Sequence, residues 1–221
     1  MGSEASSPWR KRPKAPQADA AAKREQLRER KRQAVLNAAV QAFNENGFAA
    51  TSLEDVAKVL SVTKPTIYHY FADKDEILFE CVRLGSEGIR EAITRAEARG
   101  GSGLERLTAI LLDYAAITMR DFGRCVALTS DHEMSETSRI RFRTLKREID
   151  EALRRVVEAG MEDGSLRSSD PRLVTFTLTG ALNWVSRWYD PAGSLTSEEV
   201  AQGCVQTLLN GVAANPETKA Q

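Results

Sequence analysis

Apolar positions recur at helical spacing along most of this chain. Leu36, Ala39, Val40 and Phe43 stand at i, i+3, i+4 and i+7, one face of a helix expected over 22–46, and Gly47 after Asn46 is its stop signal. Thr51 with Glu54 three residues on reads as the capping box of a second helix, whose buried face is Leu53, Val56, Ala57 and Leu60. Ser61, Val62 and Thr63 interrupt it. Thr63 then serves as the N-cap of a third short helix, with Pro65 in the first turn, where a missing N–H costs nothing. Its spacing turns Ile67, Tyr70 and Phe71 inward and Lys64, Pro65, Tyr68 and His69 outward. Asp73 with Glu76 opens a long fourth helix to about Ala98, and Ser102 with Glu105 opens the next after the Gly100–Gly103 break. Phe122-Gly123-Arg124 reads as a kink or turn, with room for a short helix in 125–137. A charged amphipathic helix follows over 138–162. Asp170-Pro171 starts another that reaches Tyr189, and Thr196 with Glu199 caps the last, ending near Ala213. Strand-like alternation appears nowhere at length. The expected fold class is all-α, a three-helix helix-turn-helix domain followed by a helical C-terminal domain.

Two short helices joined by a tight turn and backed by a preceding helix form a helix-turn-helix, whose second helix enters the major groove. Spacing alone equally fits a plain three-helix corner. The residue types decide what the outward face can do. Lys64 can reach a guanine edge or a phosphate, Tyr68 and His69 can donate to phosphate oxygens, and Lys74 lies in a helix N-terminal turn that itself favours phosphate.

Charge changes the picture through its distribution. The 221 residues hold 31 basic and 31 acidic side chains, a net charge of zero. Residues 1–32, however, carry ten basic side chains against four acidic ones, so the end that precedes the helix-turn-helix is positive and the body negative. That asymmetry suits an N-terminus that meets phosphate. The run Lys23–Arg32 can reach an adjacent groove, or it can be a solvated helix start in which Glu25 and Glu29 pair with their neighbours. Residues 1–22, with Pro8, Pro13 and Pro16, are expected to be a disordered basic tail, and 215–221 a C-terminal tail. The three cysteines are far apart and form no CxxC, there is no apolar run of spanning length, and the N-terminus has no secretory pattern. The expected place is the bacterial cytoplasm, at the nucleoid.

The stretch from Val35 to Leu78 closely resembles the DNA-binding region of the tetracycline-repressor (TetR) family. Ala38-Ala39, Phe43, Gly47-Phe48, Thr51-Ser52, Val56-Ala57 and Thr66-Ile67-Tyr68-His69-Tyr70-Phe71 with Lys74 carry the resemblance. Ser61 departs from it, standing where the family usually has glycine in the turn. The resemblance implies that Lys64, Pro65, Thr66, Tyr68, His69 and Lys74 make most DNA contacts, with Ser52 touching a phosphate and Thr63 opening the reading helix. It also implies a homodimer on double-stranded operator DNA, built through the C-terminal helices.

The residues of those helices point the same way. Leu173–Ser186 and Val200–Ala214 are free of charge. The helix at 171–189 is apolar on two faces, Leu173, Phe176, Gly180, Trp184 and Trp188 on one and Val174, Leu178, Leu182 and Val185 on the other, and a helix apolar all round must be covered all round. With the small residues Ala201, Gly203 and Gly211 in the helix at 196–213, an isologous dimer is the economical cover. Trp184, Arg187 and Trp188 read either as core with a snorkelling arginine or as an apolar pocket with an anion clamp. The string Gly180–Val200 resembles the C-terminal motif of TetR-like regulators that sense acyl-CoA thioesters. That resemblance implies an effector site at Trp184, Arg187 and Trp188, with Phe176 on the same face and His132 at its edge.

Asp131-His132-Glu133 with Glu136 has no second histidine beside it and reads as a solvated acidic turn, so no metal is expected. No nucleophile–base set or P-loop occurs, so no catalytic residues and no cofactor are expected. The reading is a ligand-responsive regulator: a DNA-binding domain at 23–78, a ligand-binding and dimerisation domain at 79–214, and release by a small anionic, apolar effector. The alternative is a constitutive or architectural DNA-binding protein.

Overall fold

The structure, a computed structural model, describes residues 20–212. The two tails expected at 1–22 and 215–221 lie outside the described residues, apart from 20–22, which are helical. The described residues are helical throughout, with no strand among them, and fall into two compact units, Met1–Cys81 and Val82–Gln221.

The first unit holds α1 (Ala20–Asn46), α2 (Leu53–Val59), α3 (Lys64–Tyr68) and the start of α4 (Lys74–Arg99). Its core is the expected stripe of α1, Leu36, Ala39, Val40 and Phe43, joined by Val35 and met by Leu53, Val56, Ala57, Ile67 and Phe71. Leu60 and Tyr70 are only half-buried. One cap is shifted by a residue. Ser52, not Thr51, opens α2, with Asp55 closing the capping box. Thr51 is buried and its hydroxyl donates to the carbonyls of Gly47 at 2.8 Å and Ala42 at 3.1 Å. The hydroxyl therefore ties the end of α1 to the loop and is not available for capping. Thr63 stands at the N-cap of α3, but its hydroxyl meets the Thr66 hydroxyl at 3.0 Å and not a backbone N–H. Asp73 caps α4 as expected, its carboxylate accepting from the Glu76 N–H at 2.8 Å.

The second unit is arranged around α5 (Gly103–Thr118), against which α6 (Asp121–Leu128), α7 (Glu136–Glu162), α8 (Pro171–Trp188) and α9 (Ser197–Asn210) all pack. The caps Ser102–Glu105, Asp170 and Thr196–Glu199 form as their local chemistry dictates. Ile110, Leu111, Leu153, Val157, Leu182 and Val185 fill the core, each such side chain contributing roughly 1.5–3 kcal/mol by leaving water. The turn expected at Phe122–Arg124 is instead the first turn of α6. A Cβ on Gly123 would stand 2.0 Å from the Ile117 carbonyl oxygen, so the glycine lets α6 fold back over the end of α5 and does not end a helix. A similar approach pins α5 to α7, where a Cβ on Gly103 would lie 2.1 Å from the Gly160 Cα.

Candidate nucleic-acid interface and ligand cavity

α3 is a single short turn of helix held by one anchor, Ile67, which is fully buried. Everything else on it is available. Pro65 and His69 are exposed, Tyr68 is 47% exposed, and Lys64 and Thr66 are half-buried at its base. The His69 ring stands edge-on to Tyr70 with centroids 5.2 Å apart. Lys64 is paired: its ammonium donates to the Glu54 carboxylate on α2 at 2.5 Å. That hydrogen bond holds the Glu54 carboxyl below its usual range and pushes the Lys64 ammonium up. Ser52 is likewise engaged, its hydroxyl donating to Asp55 at 2.6 Å, which helps to lower the Asp55 carboxyl.

Lys74 has an internal task. Its ammonium donates to the carbonyls of Phe48 at 2.7 Å and Thr51 at 2.9 Å and lies 4.2 Å from the Phe48 ring centroid. It therefore holds the loop between α1 and α2, where the sequence placed it opposite a phosphate. The basic run before it is helical from Ala20. In it Arg28 lies 3.8 Å from Glu25, and Arg32 donates to Glu80 at 2.9 Å while stacking on Phe71.

The second unit contains a cavity of about 320 Å³, within the size range of small-molecule sites. Ile89, Val126, Ile149, Leu153 and Phe176 supply apolar wall. Tyr114, Asn183, Asp150 and Lys146 supply polar groups. The Tyr114 hydroxyl donates to Asn183 Oδ1 at 2.9 Å, and burial pushes the phenol up to about 12, so it stays a neutral donor. Lys146 donates to Asp131 at 2.5 Å, and Arg143 donates to the same carboxylate at 2.7 Å; together they lower the Asp131 carboxyl.

Of the five effector residues expected from sequence, the structure brings only Phe176 to this cavity. Trp184 is 62% exposed and Trp188 half-exposed, on the outer face of α8 with Leu173 and Phe176. The Arg187 guanidinium lies 5.5 Å from the Trp184 ring centroid on that same face. His132 is exposed on the short 3-10 turn Asp131–Glu133. The two faces expected of this helix are present: Leu178, Leu182 and Val185 point into the unit, and Leu173, Phe176, Gly180, Trp184 and Trp188 point out of it. Tyr114 and Asn183 were missed as a pair because they are 69 residues apart in sequence.

Residues 35–81 match the family described as bacterial regulatory proteins, tetR family, and residues 100–212 match the tetracyclin repressor-like C-terminal domain. The chain belongs to the TetR family. TetR-family proteins of this kind are DNA-binding transcriptional regulators and not enzymes, and the exposed α3 face is where such a regulator meets DNA. This TetR-family chain is 29% identical over 189 residues to the HTH-type transcriptional repressor KstR2 of Rhodococcus jostii (strain RHA1), covering 83% of this chain and 92% of that protein. It superposes on the TetR-family regulator PfmR of Thermus thermophilus with a TM-score of 0.73 at 29% identity, over 81% of this chain and 99% of that one. AibR in complex with isovaleryl coenzyme A and operator DNA shares the fold, with a TM-score of 0.72 at 24% identity, over 80% of this chain and 97% of that one. Among the described residues no group of His, Cys, Asp or Glu is placed to hold a metal ion, and no helix is long and apolar enough to cross a membrane.

Proposed function

We propose that this TetR-family regulator is a ligand-responsive repressor. It binds a pseudo-palindromic operator as a homodimer and leaves it when a small anionic, largely apolar molecule occupies the cavity of the second unit. An acyl-CoA thioester is the first candidate. The observation that carries the reading is the cavity itself, with its apolar wall, its hydrogen-bonding groups and one lysine. α4 supplies the link: Lys74, in its first turn, holds the loop of the reading head, and Ile89, on the same helix, lines the cavity. A ligand that fits the cavity only in one setting of α4 favours that setting by its differential affinity. A hundredfold preference shifts the equilibrium by roughly 2.7 kcal/mol. The isovaleryl coenzyme A and operator DNA of the AibR complex and the repressor name of the Rhodococcus KstR2 support the same direction.

In this reading the head spans 23–78 and the sensing and dimerising domain 79–214. Pro65, Thr66, Tyr68 and His69 face the groove, Lys64 reaches a base edge once released from Glu54, and Ser52 meets a phosphate. The outer faces of α8 and α9 form the dimer. Trp184, Arg187 and Trp188 belong to that interface, and the bacterial nucleoid is the working place. The test is a gel shift on DNA from beside this protein's own gene, with free acids, coenzyme A and acyl-CoAs added in turn. Release by a thioester is expected. If every thioester leaves the complex intact, the acyl-CoA reading fails.

A further inference from the structure

The polar groups of the cavity are unequally satisfied. The Thr179 hydroxyl donates to the Thr175 carbonyl at 2.9 Å, Tyr114 donates to Asn183, and Lys146 donates to Asp131. Asp150 differs. One of its carboxylate oxygens is held by Arg154, one turn along α7, and the other, Oδ1, is buried without a hydrogen-bond partner. Such an orphaned acceptor is tolerable while water fills the cavity. It becomes costly when an apolar ligand displaces that water, because a buried carboxylate oxygen then loses its solvation and receives nothing in return. Across the same cavity, Asn183 has its oxygen turned to Tyr114, which makes its amide N–H pair the donor that this wall offers.

We propose that the cavity selects an oxygenated ligand, one whose buried part carries a hydroxyl that donates to Asp150 Oδ1, in preference to unsubstituted hydrocarbon. The hydroxyl supplies the donor that the carboxylate lacks, in a charge-assisted hydrogen bond, and its own oxygen can accept from a donor such as the Asn183 amide. A site built to hydrogen-bond a hydroxyl rejects the analogue without it far more strongly than an apolar pocket rejects a missing methylene. Ile89, Val126, Leu153 and Phe176 bind the rest of the ligand by area alone and do not discriminate between the two. The inference rests on reading this cavity as the thioester-sensing site.

The experiment is calorimetric titration of the full chain with hexanoyl-CoA and with hydroxyhexanoyl-CoAs carrying the hydroxyl at each carbon from the β position outward. At least one hydroxylated thioester is expected to bind about tenfold or more tightly than hexanoyl-CoA. The gain should vanish in Asp150→Ala. It should shrink in the isosteric Asp150→Asn, whose neutral oxygen is the weaker acceptor and whose packing keeps the fold. Binding of hexanoyl-CoA as tight as that of every hydroxylated analogue overturns the inference and leaves the thioester reading standing. So does a hydroxyl gain that persists unchanged in both variants. If neither hexanoyl-CoA nor any analogue binds, the thioester reading itself is wrong and the inference falls with it.

Discussion

Glu54 on α2 and Lys64 on α3 form an ion pair at 2.5 Å across the turn of the helix-turn-helix, so the cation best placed to read a base is already paired in the protein without DNA. Both side chains are largely exposed, and an exposed pair is weak, so DNA can take the lysine from the glutamate. Glu54→Gln should leave the fold intact, free Lys64 and remove a negative charge from the DNA-facing surface. Operator affinity and non-specific affinity should both rise in fluorescence anisotropy. Lys64→Ala should relax preference at one base pair in a sequence-selection assay. The pair also carries a sign in pH. The Glu54 carboxyl lies below its ordinary value of 4.5, so the pair's small contribution is present above that pH and lost as pH falls through the lowered native value. Equal DNA affinity for wild type and Glu54→Gln would show that the pair does not restrain Lys64.

Lys74 should behave differently from Lys64. Its ammonium satisfies the carbonyls of Phe48 and Thr51, so Lys74→Ala leaves two part-buried acceptors unpaired and loosens the loop that leads into α2. The expected signature is a lower melting temperature together with an equal loss of affinity for all DNA sequences. A melting temperature unchanged by Lys74→Ala, with a salt slope shallower by about one, would instead mark a pure phosphate contact.

Ser61 sits at φ 54, in the left-handed region that glycine adopts without cost and a side chain does not. Ser61→Gly should therefore stabilise the reading head by roughly 0.5–1 kcal/mol, the relief of strain exceeding the extra chain entropy of glycine. Thermal melts check it. A lower melting temperature for Ser61→Gly would mean that the serine side chain contributes more than its backbone strain costs.

The outer face of α8 should be needed for pairing and not for folding. A Cβ on Gly180 or Gly203 would meet nothing within 4 Å in the single chain, and Trp184 is 62% exposed. Gly180→Leu, which by helix propensity alone should stabilise α8 by under about 1 kcal/mol, and Trp184→Glu should both give monomers in sedimentation analysis with native helical content. Both should lose tight operator binding, because one reading head reaches only one half-site. A dimer that survives both substitutions would place the interface elsewhere.

The parts of this structure that were legible in the sequence are those set by local chemistry. Ser102 with Glu105, Asp170 before Pro171 and Thr196 with Glu199 each satisfy their own helix ends, so a few residues suffice to see them. The start of α2 shows where local chemistry stops deciding. Thr51 with Glu54 and Ser52 with Asp55 are two overlapping capping boxes of equal appearance. The choice falls to Ser52 because the carbonyls of Ala42 and Gly47 claim the Thr51 hydroxyl. Gly123 looked like a helix stop because its reason is the approach of Ile117, which a pattern of single residues does not display. The candidate site divides in the same way. The exposed face of α3 follows from the helical period around Ile67. The cavity needs Tyr114 on α5 beside Asn183 on α8, and Lys146 and Asp150 on α7, a meeting that only the packed core produces. Trp184, Arg187 and Trp188 drew attention by composition, and their exposure turns them from pocket to interface.

The central claim is that the cavity and the reading helix are two ends of one equilibrium, and reciprocal titration tests it most directly. Operator affinity is measured with and without a saturating thioester, and thioester affinity with and without saturating operator DNA. Linkage requires the two ratios to be equal. The account predicts that the thioester weakens operator binding by about a hundredfold or more, and that operator DNA weakens thioester binding by the same factor. A thioester that binds the free protein and the operator complex with equal affinity would contradict it.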